Sequence, residues 1–189
     1  MLEGAATIAA VTAMLLGALQ TAGDLNNGMS RALLLVEPRR LRVLGTQLLI
    51  SLSLGAGVGT AAALLADTSQ AVLGRLDLPA ASIVTVGLGT TAAAALCGLL
   101  GAAAGVLLRN AALAACVIVL WSYAAEPFIS TLSYSLYTYL PGGARESLVR
   151  HVSAHHHLPP PLAGGLILAG YAIAAALAAA LTFTRRDLT

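Results

Sequence analysis

Hydrophobic residues occur in long unbroken runs along this chain, and the gaps between charged residues define where the runs begin and end. Uncharged stretches cover 4–23, 43–66, 78–108 and 151–184, and a further apolar run follows Arg109 and Asn110. A helix needs about 20 mostly apolar residues to cross the hydrocarbon core of a bilayer. The pattern therefore predicts five spanning helices, over residues 5–22, 43–66, 81–108, 111–129 and 162–183.

These segments predict an all-α fold, a polytopic membrane helix bundle that forms a single transmembrane domain over residues 1–189. A coupling loop at 24–42 joins the first two spans, and an outer loop at 130–161 joins the last two. Within the spans, Gly55 and Gly59 are four residues apart, as are Gly101 and Gly105. Such pairs let helix backbones approach closely in lipid, although alanine-rich helices also contain them by chance.

The arginines are distributed unevenly between the two predicted membrane faces. Seven of the ten basic residues lie in segments that five spans place on one side: Arg31, Arg39, Arg40, Arg42, Arg109, Arg185 and Arg186. Cytoplasmic loops carry an excess of basic residues. We therefore expect a multi-pass protein of the cell inner (plasma) membrane, with its N-terminus outside and its C-terminus cytoplasmic.

The composition excludes several classes of protein. Of the 189 residues 58% are hydrophobic and 10% charged, whereas soluble domains average about 25% charged residues. The chain has no lysine, so a phosphate-binding loop that hydrolyses ATP and Schiff-base catalysis are both excluded. Cys97 and Cys116 lie in apolar runs, which favours small buried side chains over a disulfide or metal site. We predict that this chain is no enzyme, holds no cofactor or metal, and binds no nucleic acid.

The stretch Gly23–Gln47 is too polar to span a membrane and too apolar to be a plain linker. Residues 28–37 can form a short amphipathic helix, and Pro38 disfavours its continuation. One interpretation is an interfacial helix flanked by anchoring arginines. The other is a docking helix for a cytoplasmic partner.

Glu126 is an acidic residue inside the fourth predicted span. It lies 15 residues after Ala111, or about 22 Å along a helix, in the outer third of the hydrocarbon. An acidic residue inside the membrane is by default a candidate functional site. Pro127 follows at once and predicts a break in the helix. The carboxylate either forms hydrogen bonds with water or with backbone groups that the helix break leaves unpaired, or it gates the exit of a substrate.

The predicted outer loop contains four histidines, at positions 151, 155, 156 and 157. His151 and His155 have a spacing that suits a metal ion on a helix. No acid or cysteine lies among them, and Pro159–Pro161 follows. We favour a solvated polar loop.

The stretch GDLNNGMSRALLLVEPRR resembles the first cytoplasmic loop of type-2 ABC transporter permeases. The matching positions are Gly23, Asp24, Gly28, Arg31, Leu34, Pro38, Arg39 and Arg40. The resemblance continues, in the family's order, through Leu96–Asn110, Glu126–Pro127, Tyr139–Ala144 and Arg185–Asp187. It therefore covers nearly the whole chain. The family's first helix has no counterpart here, Leu25 replaces a common aromatic, and Thr46–Gln47 replaces a common lysine.

The resemblance implies an exporter whose ATPase is a separate subunit. That subunit would bind ATP and Mg, and it would seat the coupling helix through Asp24, Met29, Arg31 and Leu33. The permease would act as a homodimer or heterodimer, with Glu126 and Pro127 as gating residues. The alternative is a non-transport integral membrane protein, an assembly or immunity factor that binds another membrane complex.

Overall fold

The structure is a computed structural model that describes residues 2–26, 40–72, 80–149 and 159–185. Within these ranges the chain is all-α and contains no β-strand. The helices are α1 (Leu2–Asn26), α2 (Arg40–Val72), α3 (Ala80–Leu108), α4 (Ala111–Leu120), α5 (Glu126–Leu132), α6 (Tyr134–Tyr137), α7 (Pro141–Val149) and α8 (Pro161–Arg185), with a π-helical turn at Trp121–Ala125 between α4 and α5.

Five helical segments are long and apolar enough to cross a membrane. They are Gly4–Asn26, Leu41–Val72, Ile83–Leu108, Ala111–Leu132 and Pro161–Phe183. The prediction of an all-α bundle with five spans is therefore confirmed, and by helix length and hydropathy the chain is a multi-pass membrane protein. The prediction that both cysteines are buried is confirmed for Cys97 and wrong for Cys116, which is exposed on α4.

Helix α3 lies at the centre of the bundle and packs closely against α1. Half of the residues in the α1 and α3 spans are buried, compared with 17–22% in the other spans. A Cβ on Gly101 would overlap the Met14 carbonyl oxygen, and one on Gly105 would lie 2.5 Å from the Ala18 carbonyl oxygen. The Thr21 hydroxyl donates to the Ala102 carbonyl at 3.0 Å. A side chain at either glycine would push the two helices apart.

Helix α2 also packs on α3 at glycine residues. A Cβ on Gly55 would lie 2.5 Å from the Ala94 carbonyl oxygen, and one on Gly59 would lie 2.8 Å from the Thr91 Cα atom. Both predicted glycine pairs are thus close-approach positions between helices. Because lipid is as apolar as the helices, such close packing is a main source of their association.

A two-residue connection joins α3 to α4. Arg109 adopts a left-handed conformation with φ 52°, which ends α3. The Asn110 side chain then accepts a hydrogen bond from the Leu113 N–H at 3.1 Å and caps α4. This tight turn makes α3 and α4 neighbours that run in opposite directions.

The fourth span does not break at Pro127, and this expectation was wrong. The helix widens instead into a π turn, in which the Glu126 N–H bonds to the Trp121 carbonyl five residues earlier. Proline has no N–H to offer the carbonyl four residues back, and its ring crowds that position. A π turn relieves both problems. The chain therefore remains helical through Pro127 to Leu132.

The segment that follows differs from the predicted outer loop. Residues 134–137 and 141–149 are helical, and α7 folds back against α3 and α8. Ala144, Arg145 and Ser147 are buried there, and Gly164 of α8 contacts the Ser147 hydroxyl. A solvated polar loop is therefore incorrect for residues 141–149. The four histidines lie outside the described residues.

Candidate functional site

Glu126 is buried at the junction between the π turn and α5. Its side chain is only 4% exposed, and that of Arg145 on α7 is 9% exposed. The Arg145 Nη2 atom lies 3.7 Å from the Glu126 Oε2 atom. The indole Nε1–H of Trp121 donates to Oε1 at 3.0 Å. The acid predicted inside span four is thus the centre of a buried ion pair.

The backbone of Gly142 makes this arrangement possible. It lies directly against the Glu126 carboxylate, and a Cβ at this position would overlap Oε2. Gly143 lies equally close to the Tyr137 carbonyl. The Gly142–Gly143 pair therefore lets the first turn of α7 approach Glu126 closely enough to bring Arg145, one turn later, to the carboxylate.

One oxygen of the Glu126 carboxylate is incompletely satisfied. Oε2 is buried and accepts no hydrogen bond from any residue within the described ranges. The 3.7 Å separation from Arg145 is longer than the 2.7–3.2 Å (approximately) of a direct N–H···O bond. Most buried polar atoms in folded proteins have a partner, so such an exception calls for an explanation.

Tyr137 and Glu146 form a second polar pair beside the first. The Tyr137 hydroxyl donates to the Glu146 Oε2 atom at 3.1 Å. Burial of the ring, followed by the negative charge of Glu146, raises the pKa of Tyr137 above its ordinary value. The phenol therefore stays protonated and holds Glu146 in place.

Both pairs line a cavity of about 490 Å³ at one end of the bundle. The beginning of α1, the π turn with α5, and the α6–α7 segment line it, and one side is open. Its polar lining includes Thr7, Ser122, Glu126, Tyr137, Arg145 and Glu146. Pro127 lines the same cavity, so the two predicted gating residues are brought together with a guanidinium and a second carboxylate.

The predicted partner-binding residue Asp24 lies at the opposite end of α1. It belongs to the last turn of the helix and not to the following loop, and its Oδ2 accepts a hydrogen bond from Gln47 Nε2 at 3.3 Å. The Ser51 hydroxyl reaches Gln20 Oε1 at 3.5 Å one turn away. Asp24 thus helps to join α1 to α2. Met29, Arg31 and Leu33 lie outside the described residues.

The partners of Glu126 could not be recognised from the spacing of residues along the chain. Arg145 lies in the predicted outer loop 130–161 and Trp121 in the fourth predicted span, and neither was predicted to contact the carboxylate. The signal available was the Gly142–Gly143 pair, because adjacent glycines permit a close backbone approach. Within the described ranges, no group of three or more histidine, cysteine, aspartate or glutamate side chains is placed to hold a metal ion.

No protein-family model, curated protein or solved structure matches this chain.

Proposed function

We propose that this chain is the membrane-spanning permease subunit of an ATP-driven ABC exporter of the type-2 kind. The observation that carries the proposal is the folding back of the segment after Glu126–Pro127. There α6 and α7 return to the bundle, and Arg145 meets Glu126. The family that the chain resembles has a re-entrant outer segment at its Glu-Pro pair; here the helix continues through Pro127, and the chain returns to the bundle after Leu132.

In this proposal a separate ATPase subunit binds ATP and Mg and supplies the energy. The segment 24–37 is its coupling helix, with Asp24, Met29, Arg31 and Leu33 as contacts. The ATP-bound partner drives transport only if it binds one state of the bundle more tightly than the other. The permease works as a homodimer or heterodimer in the cell inner membrane, with the connection after α1 and the C-terminus cytoplasmic.

Contacts between helices connect the Asp24 end of the bundle to the end that holds the Glu126 cavity. The Asp24–Gln47 hydrogen bond joins the ends of α1 and α2 at the connection the partner would pull. Both helices contact α3 through glycine backbones. The first turns of α1 line the Glu126 cavity. A rigid shift of α1 therefore changes the shape of that cavity, which suits gating by Glu126 and Pro127.

Co-purification tests the proposal. The tagged chain is expressed with an ATPase that has a phosphate-binding loop and is encoded beside it. We expect a stable complex with ATPase activity, lost in the double variant Arg31→Glu with Leu33→Asp. The matched control, Arg186→Glu with Leu188→Asp, makes the same two charge changes in the C-terminal segment, outside the predicted contacts and spans, and should retain the partner.

Two results contradict the proposal. Equal retention of the ATPase by both double variants refutes the coupling-helix assignment. Recovery of the chain with another membrane complex and no ATPase favours the alternative, an assembly or immunity factor.

A further inference from the structure

The guanidinium of Arg145 carries more hydrogen-bond donors than the described residues use. Its Nη2 atom lies 3.7 Å from the Glu126 Oε2 atom, which is too long for a direct hydrogen bond. No residue within the described ranges accepts a hydrogen bond from this side chain, although it is only 9% exposed. Arginine presents several N–H donors in a planar fork. Leaving such donors buried and unpaired is costly, so a molecule that pairs them gains free energy.

These donors can be reached from the cavity of about 490 Å³ that Arg145 lines. Within the described part of the chain, the fully enclosed side-chain atoms that lack a hydrogen-bond partner are Gln47 Oε1 and Glu126 Oε2. The unpaired nitrogens of Arg145 are not among them, so part of the guanidinium is accessible. A molecule in the cavity can therefore contact Arg145 without reaching the enclosed oxygen of Glu126.

Ser122 adds a second unused donor to the lining of the same cavity. It belongs to the π turn and is only 7% exposed. Serines in helices commonly donate to a carbonyl three or four residues earlier, as Ser130 does to Pro127 at 2.7 Å. The Ser122 hydroxyl makes no such bond, nor any other with a described residue. Two buried donors from separate elements, the π turn and α7, thus border one cavity.

The charges beside these donors favour an uncharged ligand. The Glu126 carboxylate lies next to the guanidinium and balances its charge. An anion would be repelled by Glu126, and a cation by Arg145. A neutral carbonyl oxygen adds no charge and can accept more than one hydrogen bond. It is therefore the group that best matches the two donors.

The rest of the ligand should be apolar. Ala6, Ile8 and Val149 contribute aliphatic surface to the lining. The cavity volume of about 490 Å³ falls within the range of roughly 300–1,000 Å³ found for small-molecule sites. Such sites bury the hydrocarbon part of a ligand while a few polar groups fix its orientation.

We propose that this cavity binds a neutral amphiphile through an ester or amide carbonyl, which accepts hydrogen bonds from Arg145 and Ser122. Such a carbonyl can come from a free compound or from the acyl ester of a membrane lipid. The inference goes beyond the proposed function, since binding requires this chain alone. Failure of carbonyl binding leaves the ATPase experiment unaffected, and the reverse also holds.

Photoaffinity labelling tests the proposal directly. The probe is methyl octanoate with a diazirine in its chain, and the purified full chain is held in nanodiscs of ether-linked phosphatidylcholine, which contain no ester carbonyl. Mass spectrometry then identifies the labelled peptides. We expect saturable labelling at the beginning of α1 and in α7. Unlabelled methyl octanoate should abolish it, whereas octylamine and decane, which present no acceptor oxygen, should leave it unchanged.

Two variants locate the carbonyl. Ser122→Ala removes one donor and should weaken competition by methyl octanoate about threefold to tenfold. Arg145→Lys keeps a positive charge beside Glu126 but loses the planar set of donors, and it should weaken competition at least about tenfold. The matched control is Ser53→Ala, which removes a serine of α2 that does not line the cavity. It should behave like the wild type.

Nanodiscs of ester-linked phosphatidylcholine distinguish the two sources of the carbonyl. Weaker labelling there identifies the lipid ester as a competing occupant, and unchanged labelling identifies a free compound. The proposal is overturned if decane or octylamine competes as well as methyl octanoate does, or if Ser122→Ala and Arg145→Lys both behave like the wild type. Should Arg145→Lys fail to fold, Ser122→Ala and the competition on the wild type still decide.

Discussion

Trp121 and Glu126 are joined twice, once through the backbone and once through their side chains. The Glu126 N–H bonds to the Trp121 carbonyl, and the Trp121 indole donates to the Glu126 carboxylate at 3.0 Å. A hydrogen bond between residues five apart is that of a π helix, whereas in an α-helix residues three or four apart are neighbours. The wide turn thus places the tryptophan directly over the buried acid.

Replacement of Pro127 tests whether the proline maintains this turn. In Pro127→Ala the new N–H can bond to the Tyr123 carbonyl, so a regular α-helix becomes accessible. We expect Trp121 to lose its bond to Glu126, with a shift in its fluorescence emission. Pro161→Ala is the control, because a proline at the first position of a helix replaces no required N–H bond. An unchanged Pro127→Ala spectrum would show that the side-chain contacts hold the turn by themselves.

Because Glu126 and Arg145 form an ion pair, we expect that the losses in free energy of unfolding caused by replacing each of them do not add. Removal of one partner leaves the other charge buried, which typically costs about 3–5 kcal/mol. Glu126→Gln and Arg145→Gln should each lower the free energy of unfolding by about that amount, and the double variant should lose less than their sum. Denaturant titration in detergent measures all three. Strictly additive losses would mean that the two side chains do not stabilise each other.

The central glycines predict a contrast between two conservative substitutions. Gly101→Ala places a methyl group against the Met14 carbonyl oxygen, whereas a methyl group on Gly57 meets no atom within 4 Å. Overpacking typically costs about 1–3 kcal/mol. We expect thermal unfolding of Gly101→Ala at a lower temperature, with Gly57→Ala at or slightly above the wild-type value. A melting temperature of Gly101→Ala equal to that of Gly57→Ala would contradict the close α1–α3 contact.

Tyr137 predicts a loss of stability in alkaline solution. Its pKa is higher in the folded protein than in the unfolded chain, because of burial and the neighbouring Glu146. As the pH rises past the ordinary value of 10.0, the unfolded chain releases its phenolic proton first, and the free energy of unfolding falls. Below that pH the contribution is complete.

The midpoint of denaturation is measured at several pH values from about 8 to 11, a range that includes the ordinary pKa of tyrosine. Tyr137→Phe should show a smaller alkaline decrease than the wild type. Tyr139→Phe is the control, because Tyr139 is 64% exposed, and its decrease should match that of the wild type. The assignment fails if the two variants behave alike.

The amino-acid sequence alone determined the five spans of this protein. A bilayer requires long apolar segments whose backbone hydrogen bonds are satisfied within the helix, so hydropathy and the gaps between charges are sufficient to find them. The Gly55–Gly59 and Gly101–Gly105 pairs were also recognisable, because four-residue spacing places both glycines on one helix face.

Only the tertiary structure decided which polar groups meet. Arg145 reaches Glu126 because the chain reverses after α5 and Gly142 permits contact, and neither event follows from a local pattern. Pro127 likewise admits either a break or a π turn, and the contacts of Glu126 with Trp121 and Arg145 favour the turn. The spacing of hydrophobic residues shows which face of a segment is apolar. A buried ion pair depends instead on how close two segments that are remote in sequence come in the folded protein.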